Sequence, residues 1–154
     1  MIDIDTAPPP FTLHAHGGSL SPEELRGAPF VLYFYPKDDT AGCTQEAQEF
    51  STLKESFSAI GVRVLGVSRD SLESHAKFHT KHDLAVELAS DPEGRVCELF
   101  GVWVEKSMYG RKYFGIERAT FLFDRTGVLR RAWRKVKVPG HAAEVLAAAR
   151  TLST

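Results

Sequence analysis

The sequence predicts an α/β fold in which a central mixed β-sheet is flanked by helices on both faces. The first half of the 154-residue chain alternates strand and helix patterns, which is typical of parallel β-α-β units. The second half contains two consecutive strand patterns and then a helix, which indicates an antiparallel hairpin packed against the sheet. At this length we expect one domain spanning residues 1–154, whose core is large enough to fold without a disulfide or a metal.

The N-terminal region is predicted to be a hairpin extension at the edge of the sheet. Three consecutive prolines favour an extended chain over residues 1–10, residues 11–16 alternate apolar and polar side chains, and a Gly-Gly pair then supplies a turn. Ser21 and Pro22 have the chemistry of a helix start. We therefore expect a hairpin or short edge strands, followed by a short helix.

The next segment predicts a β-α-β unit. Residues 30–36 are β-branched, aromatic or Leu until Pro36 removes a backbone donor, which is typical of a strand buried on both faces. Residues 43–60 place apolar side chains at steps of three and four, which indicates a helix, and Gly61 is a plausible stop. Residues 62–68 are the second strand.

The remainder of the chain predicts further helices and strands and one long loop. Helices are expected over about 71–82, 92–100 and 140–152, and strands over 85–88, 119–123 and 128–136, the last two joined by a turn at 124–127. Residues 101–117 are irregular and rich in Tyr, Phe and Gly, so we interpret them as a long loop. This order of elements fits a thioredoxin-like fold.

Composition and charge narrow the classes of function. Nineteen basic and twenty acidic residues give a net charge of −1, so no global field favours nucleic acid or an anionic membrane surface. The N-terminus lacks the apolar segment of a secretory signal and no later run reaches membrane-spanning length, so we expect a cytoplasmic protein. Two cysteines are too few for a disulfide framework, which leaves Cys43 and Cys97 as reactive, metal-bound or buried thiols.

Cys43 lies where the first buried strand gives way to a helix. In the first turn of a helix a thiol is close to unpaired backbone N–H groups and to the positive end of the helix dipole, and both favour the thiolate. Thr40 offers a hydroxyl three residues earlier, Pro36 stiffens the entry turn, and Glu46 follows about one helical turn later. The simpler alternative is an ordinary strand-loop-helix connection with a buried cysteine.

The residues around Cys43 resemble the peroxidatic signature of the peroxiredoxins. The run Pro36-Lys-Asp-Asp-Thr-Ala-Gly-Cys43 matches the pattern P-x-x-x-T-x-x-C. The segments Ser90-Asp-Pro-Glu-Gly, Phe100-Gly-Val-Trp and Gly115-Ile-Glu-Arg-Ala-Thr-Phe-Leu are similar to the Q-type group, also called bacterioferritin comigratory proteins. The similarity extends from about residue 5 to the C-terminus.

The resemblance implies a thiol-dependent peroxidase that reduces hydrogen peroxide and organic hydroperoxides, with Cys43 as the peroxidatic nucleophile. It also implies that Pro36, Thr40 and Arg118 surround the reacting sulfur. Because a helix terminus stabilises an anion by only about 0.3–1 kcal/mol, we expect the larger effect from donors aimed at the peroxide oxygens as the O–O bond breaks. These donors are the Thr40 hydroxyl, the Arg118 guanidinium and the N–H groups around residues 42–43. The chemistry requires no metal or organic cofactor.

A competing hypothesis uses the same thiol differently. In a peroxide-sensing redox switch or a holdase, oxidation of Cys43 would control the binding of a partner and would not be followed by turnover. Peroxide consumption with an excess of thiol reductant separates the two classes.

The resemblance leaves open how oxidised Cys43 is reduced. Many members of the group carry a resolving cysteine five residues after the peroxidatic one or in the following helix, and these positions hold Gln48 and His79 here. Cys97 is either a structural, partly buried thiol or the partner of Cys43 in an internal disulfide. Without that disulfide, an external thiol such as thioredoxin, glutaredoxin or glutathione would attack the sulfenic acid directly.

Three weaker patterns each have a functional and a structural interpretation. Three histidines at steps of four and three line either a metal site without an evident fourth ligand or a solvated helix face: His75, His79 and His82. A basic strand region either touches nucleic acid or an acidic partner or is simply solvated, and the net charge disfavours nucleic acid: Arg130, Arg131, Arg134, Lys135 and Lys137. Four aromatic residues form either a collar that admits alkyl hydroperoxides or packing for the long loop: Trp103, Tyr109, Tyr113 and Phe114.

Overall fold

A seven-stranded mixed β-sheet forms the centre of the molecule in a computed structural model, which describes residues 2–152. The strands are β1 (Leu13–Ala15), β2 (Gly18–Leu20), β3 (Phe30–Phe34), β4 (Arg63–Ser68), β5 (Glu87–Ser90), β6 (Trp103–Met108), β7 (Arg111–Ile116), β8 (Ala119–Phe123) and β9 (Leu129–Trp133). The helices are α1 (Pro22–Leu25), α2 (Ala41–Thr52), α3 (Lys54–Ala59), α4 (Leu72–Lys81), α5 (Arg95–Leu99) and α6 (His141–Leu152). The sheet order is β2-β1-β5-β4-β3-β8-β9, and β6 pairs with β7 separately.

The pairing of the strands confirms the predicted α/β class. Strand β3 is parallel to β4, and β4 is parallel to β5, as expected for β-α-β units. Strands β8 and β9 are antiparallel to each other, and β8 is antiparallel to β3. The N-terminal hairpin of β1 and β2 lies at the sheet edge beside β5, also as expected.

Two hydrophobic cores lie on opposite faces of the sheet, and β3 contributes to both. Phe30, Leu32 and Phe34 belong to one core together with α5, whereas Val31 and Tyr33 belong to the other together with α2, α3, α4 and α6. Side chains on a strand alternate between faces, so this uniformly apolar strand is buried on both sides. Helices therefore cover both faces of the sheet.

The prediction of a long loop at residues 101–117 is wrong, because this segment forms the β6–β7 hairpin. Met108 and Arg111 are the last paired residues, and the two between them, Tyr109 and Gly110, have φ of 52° and 76°. Positive φ at both central positions defines a type I′ turn, whose twist suits a two-residue hairpin connection. Tyrosine rarely has positive φ, so the sequence lacks the Asn-Gly or Asp-Gly signal from which a two-residue hairpin turn is usually predicted.

Several predicted boundaries shift for local reasons. The helix expected at 43–60 begins at Ala41 and is interrupted at Leu53, which has φ −95° and ψ 4°. The helix expected from residue 92 starts at Arg95, because Gly94 precedes it in the left-handed conformation. The strand expected at 128–136 ends at Trp133, and Lys135 beyond it has φ 48°. The strand expected at 85–88 occurs at Glu87–Ser90.

Within residues 2–152, no helix has both the length and the apolar character needed to cross a lipid bilayer.

Candidate active site

Cys43 occupies the third position of helix α2, directly after the loop that follows β3. Thr40 is the N-cap with extended backbone, and the first intrahelical hydrogen bond runs from the Thr44 N–H to the Thr40 carbonyl at 2.8 Å. The N–H groups of residues 41–43 thus precede the regular ladder, as at any helix start. The Cys43 side chain is nevertheless only 1% exposed. The thiol therefore lies at the positive end of the helix and is almost completely shielded from solvent.

The guanidinium of Arg118 lies next to the Cys43 sulfur and comes from the start of the neighbouring strand, β8. This residue immediately precedes β8, whose first residue, Ala119, pairs with Phe34 at the end of β3. Arg118 Nη2 lies 3.5 Å from Cys43 Sγ. A Cβ atom on Gly42 would lie 3.1 Å from the same nitrogen, so the missing side chain at Gly42 leaves room for the guanidinium. The strand pairing and this glycine together place a fixed cation beside the thiol.

Glu46 holds the other side of the guanidinium. Its Oε1 accepts a hydrogen bond from Arg118 Nη1 at 2.6 Å, and the residue is 1% exposed. Its Oε2 has no hydrogen-bond partner in the part of the chain that the structure describes. Burial raises the pKa of Glu46 to about 7, although the neighbouring Arg118 acts to lower it. The carboxyl group orients Arg118 toward Cys43 at the cost of being buried.

The Thr40 hydroxyl is directed differently from the sequence-based expectation of a donor to peroxide. It donates to the carbonyl of Lys37 at 3.0 Å and does not cap α2. A hydroxyl has one proton and two acceptor lone pairs, so in this state Thr40 can still accept a hydrogen bond. Thr40 closes the loop that begins at Pro36.

Pro36 lines a surface cleft of about 470 Å³ whose walls do not include Cys43. The opposite wall comes from the β6–β7 hairpin and includes Trp103, Lys106 and Phe114. Trp103 stacks with Phe114 at 6.4 Å between ring centroids, and the Arg69 guanidinium lies 4.6 Å from the Trp103 ring. Burial, and then Arg118, lower the pKa of Lys106.

The four aromatic residues of the predicted loop divide between two roles. Trp103, Tyr113 and Phe114 line the cleft, and Phe114 is 59% exposed. Tyr109 is 99% exposed at the hairpin turn and belongs to no wall of the cleft. The collar interpretation fits three of the four residues.

Sequence reasoning missed a polar network beneath the loop of residues 35–40, which joins β3 to α2. Asp38 accepts hydrogen bonds from Tyr35 Oη at 2.6 Å, from Ser74 Oγ at 2.8 Å and from His75 Nδ1 at 2.7 Å. His75 is 1% exposed, so the solvated-face interpretation is wrong for this residue. A signal was available, since His75 precedes the buried Phe78 by three residues and therefore shares its helix face.

The three histidines do not come together as a site. His75 points into the network with Asp38, whereas His82 Nε2 lies 2.6 Å from Asp39 Oδ1. A different set, Asp38, Asp70 and His75, has potential ligand atoms within 4.8 Å of one another. Asp38 and His75 hydrogen-bond to each other, and the two carboxylates accept from neighbouring hydroxyl groups. The arrangement is that of a hydrogen-bond network.

Cys97 is fully buried, whereas the structural interpretation of this thiol expects it to be only partly buried. It is 0% exposed on α5 in the core that lies across the sheet from the core containing Cys43. Its backbone N–H donates to Asp91 Oδ2 at 2.8 Å. Burial, and then Asp91, raise the pKa of the Cys97 thiol far above its ordinary value. Both cysteines are free thiols.

The basic strand region is largely paired with other groups of the protein. Arg130 binds Asp5 and Asp124 at 2.9 and 2.7 Å, and Arg134 donates to the carbonyls of Phe100 and Gly101. These partners reduce the charge that this region offers to nucleic acid.

Comparison with known proteins identifies relatives along nearly the whole chain. The model of the AhpC/TSA family matches residues 4–132. The putative peroxiredoxin Bcp of Coxiella burnetii is 49% identical over 146 residues, which cover 94% of this chain and 97% of the relative. Peroxiredoxin Bcp of Bacillus subtilis is 46% identical over 138 residues, which cover 90% of this chain and 88% of the relative.

Solved structures show the same similarity. The bacterioferritin comigratory protein of Xanthomonas campestris, studied as trapped intermediate and ligand complexes for its alkyl peroxide reduction activity, aligns with a TM-score of 0.87 at 44% identity. This alignment covers 94% of this chain and 92% of that one. A cysteine-to-serine mutant of Xylella fastidiosa PrxQ aligns with a TM-score of 0.93 at 39% identity, covering 100% and 99% of the two chains.

Proposed function

Because the chain belongs to the AhpC/TSA family as a peroxiredoxin of the Bcp or Q-type group, a class of thiol-dependent peroxidases, we propose that Cys43 is the thiol that attacks the peroxide. One observation carries this assignment. The Cys43 sulfur lies in the first turn of α2 with the Arg118 guanidinium 3.5 Å away, whereas Cys97 is buried in the other core.

The reaction is a two-electron displacement at oxygen. The Cys43 thiolate attacks the terminal oxygen of ROOH, an S–O bond forms, and the O–O bond breaks. The sulfur becomes a sulfenic acid, the peroxide is reduced, and the departing RO⁻ takes a proton to leave as ROH. Negative charge therefore moves from sulfur to the departing oxygen, and donors that follow this charge lower the barrier.

The surrounding residues have distinct roles in this displacement. Arg118 stabilises the thiolate and then the charge that develops on the peroxide oxygens, and Glu46 keeps its guanidinium plane in place. The N–H groups at the start of α2 point to the same region. Thr40, with its proton on the Lys37 carbonyl, accepts a hydrogen bond from the O–H of the incoming peroxide and so orients it. Pro36 stiffens the start of the loop.

The substrates are hydrogen peroxide and organic hydroperoxides. The cleft that Pro36 lines supports the second class, since its Trp103 and Phe114 walls offer apolar surface to an alkyl group and its Lys106 interacts electrostatically with Cys43. The Xanthomonas campestris relative has been studied for alkyl peroxide reduction, which is consistent with this assignment.

The reductant is an external thiol, and thioredoxin, glutaredoxin and a small thiol such as glutathione are the candidates. Gln48 and His79 occupy the positions where many members of the group carry a resolving cysteine. Cys97 is the remaining cysteine, and a Cys43–Cys97 disulfide would have to join the two faces of the sheet. An external thiol attacks the sulfenic acid, water leaves, and a second thiol reduces the mixed disulfide to free Cys43. A cytoplasmic location supplies such thiols, and we place the protein there.

Turnover measurements test the proposal. Wild-type protein and Cys43→Ser are mixed with peroxide and excess dithiothreitol, and peroxide loss is followed over many equivalents. We expect continuous consumption by the wild type and none above background by Cys43→Ser. Retained turnover in Cys43→Ser would contradict the assignment of the nucleophile. One equivalent of oxidation without cycling in the wild type would instead favour the redox-switch hypothesis.

A further inference from the structure

The loop that carries Thr40 and leads to Cys43 is held from below by one buried carboxylate. Asp38 is 8% exposed and accepts hydrogen bonds from Tyr35, Ser74 and His75. Its backbone N–H also donates to Asp70 Oδ2 at 2.9 Å. The loop is thereby joined to β3, to the end of β4 and to helix α4.

Each of the two ring nitrogens of His75 makes a hydrogen bond. Its Nε2 lies 2.8 Å from the Ala89 carbonyl oxygen, and its Nδ1 lies 2.7 Å from Asp38 Oδ2. A carbonyl can only accept, so Nε2 carries a hydrogen. Asp38 Oδ2 also accepts from the hydroxyl of Ser74 at 2.8 Å, so both ring nitrogens of His75 and the facing carboxyl oxygen of Asp38 have hydrogen-bond partners.

The pair connects the loop to a rigid part of the sheet. Ala89 is 0% exposed on strand β5, and β5 pairs with β4 over its whole length. A displacement of Asp38 would therefore leave the buried His75 ring without one of its two hydrogen-bond partners, which is unfavourable. This gives the loop one favoured position.

A second connection on the same loop lies at the surface. Asp39, with φ 61°, accepts hydrogen bonds from Lys81 and from His82, both at 2.6 Å. Its side chain is 41% exposed, so water can replace these partners at little cost. Two adjacent aspartates thus join the same loop to α4, one buried and one exposed.

We propose that Asp38 and His75 are positioning residues for peroxide reduction, which hold Thr40 and the start of α2 in reactive geometry around Cys43. Neither residue touches the sulfur or the substrate, and both act through the backbone of residues 38–43. This inference rests on the proposed role of Cys43 as the attacking thiol.

The test compares two reactions of the same thiol in Asp38→Asn, His75→Gln and the double variant. Peroxide attack requires the oriented donors, whereas alkylation by iodoacetamide requires only a reachable thiolate. We expect the second-order rate constant with hydrogen peroxide to fall at least tenfold in each single variant while alkylation is unchanged or faster. The double variant should be no slower than the slower single variant, because the two residues act as one unit.

The neighbouring Asp39→Asn is the matched control, since it removes a carboxylate from the same loop at the surface. We expect its peroxide rate constant to stay within twofold of the wild type. Near-wild-type peroxide rates in folded Asp38→Asn and His75→Gln, or equal losses in both reactions, would overturn the inference. If these variants fail to fold, Ser74→Ala removes a single donor from Asp38 and should give a smaller loss of the same selective kind, whose absence would equally overturn the inference.

The outcomes also separate this inference from the proposed function. If wild-type Cys43 is not oxidised by peroxide, the role of Cys43 fails. If the wild type turns over normally and the variants do too, only the positioning role fails.

Discussion

Arg118 is the residue on which the chemistry of the site depends most. Its two terminal nitrogens are divided between Glu46 at 2.6 Å and the Cys43 sulfur at 3.5 Å. The carboxylate on one side fixes the plane of the guanidinium. The nitrogen on the other side is therefore already oriented toward the sulfur, and little conformational entropy is lost when the two interact. Stabilisation of this kind is realised as charge develops, which is where it increases the rate.

Replacing Arg118 should therefore affect peroxide attack more than thiol reactivity in general. We expect Arg118→Ala to lower the second-order rate constant with hydrogen peroxide by about 10²–10³, with a smaller loss in alkylation by iodoacetamide. Stopped-flow measurement of peroxide consumption gives the first value. Arg131→Ala is the control, because Arg131 is half exposed and pairs with Glu144 at 3.7 Å. Equal losses in both reactions would show that Arg118 acts only by stabilising the thiolate.

Glu46 should give the protein a distinctive dependence of stability on pH. Its pKa is about 7 in the folded protein and near 4.5 in the unfolded chain, so between these values the native state binds more protons. Its contribution to the free energy of unfolding therefore falls as the pH rises through this window, by at most about 3 kcal/mol.

Glu46→Gln should remove this contribution. Measured by urea denaturation, its stability relative to the wild type should improve between pH 4.5 and pH 8 by up to about 3 kcal/mol. Glu55→Gln, which changes an exposed carboxylate on α3, should show little such trend. A relative stability of Glu46→Gln that is flat or falls with pH would contradict the assigned pKa.

At the residue scale, the sequence predicted the residues around the reacting sulfur better than it predicted the buried residues that hold them in place. Cys43, Thr40 and Arg118 follow from a short motif and a family resemblance. The Asp38–His75 pair did not follow, because the helix face that His75 shares with Phe78 indicates burial but not which groups the ring binds. The fold supplies the partner for His75 through a contact with residue 89, far along the chain.

At the scale of elements, the β6–β7 hairpin forms one wall of the cleft that Pro36 also lines. It depends on a two-residue turn at Tyr109 and Gly110, which both have positive φ. Gly110 has no atom within 4 Å of an added Cβ, so a substitution there would test backbone strain alone.

Gly110→Ala should destabilise this hairpin by about 1 kcal/mol, because alanine in the left-handed region is strained. Amide hydrogen exchange in β6 and β7 should accelerate about fivefold. Gly17→Ala is the matched control in the N-terminal hairpin connection, where φ is not in the left-handed region and an added Cβ meets nothing within 4 Å. Unchanged exchange in Gly110→Ala would show that the turn is not strained by a side chain.

The boundaries of elements were less predictable than their existence. The strands and helices of the β-α-β units follow from apolar periodicity, which reports which residues are buried. The break at Leu53 and the turn at Tyr109 depend on backbone dihedral angles, and neither residue type is a sequence signal for the angles that it adopts. Long apolar patterns therefore predicted the sheet, whereas single residues determined where its elements begin and end.

At the scale of the whole molecule, the sheet separates the two cysteines. Alternation along β3 assigns the Cys43 helix and the Cys97 helix to opposite cores. The sequence alone could not decide this, because both cysteines follow apolar helix patterns and the side of the sheet is set by topology. The thioredoxin-like fold and the peroxiredoxin family were predictable, and both are confirmed.

This separation predicts a modest effect of Cys97 on activity. Cys97→Ser should retain most of the wild-type peroxide turnover with dithiothreitol, because no step requires that thiol. It should lose about 1 kcal/mol of stability in urea denaturation, since a fully buried hydroxyl costs more to desolvate than a thiol even with the Asp91 carboxylate beside it. Cys97→Ala, which adds no polar group, should retain the same turnover. Loss of turnover in both folded variants would indicate that Cys97 resolves the sulfenic acid.

The most direct test of the site is the chemical state of each cysteine after one equivalent of hydrogen peroxide. The protein is oxidised in the presence of dimedone, which traps sulfenic acid, and is then analysed by intact mass and peptide mapping. We predict one dimedone adduct on the peptide that contains Cys43, with Cys97 unmodified and no crosslinked peptide. An adduct on Cys97 with Cys43 untouched would contradict Cys43 as the nucleophile, and a Cys43–Cys97 disulfide would contradict reduction by an external thiol.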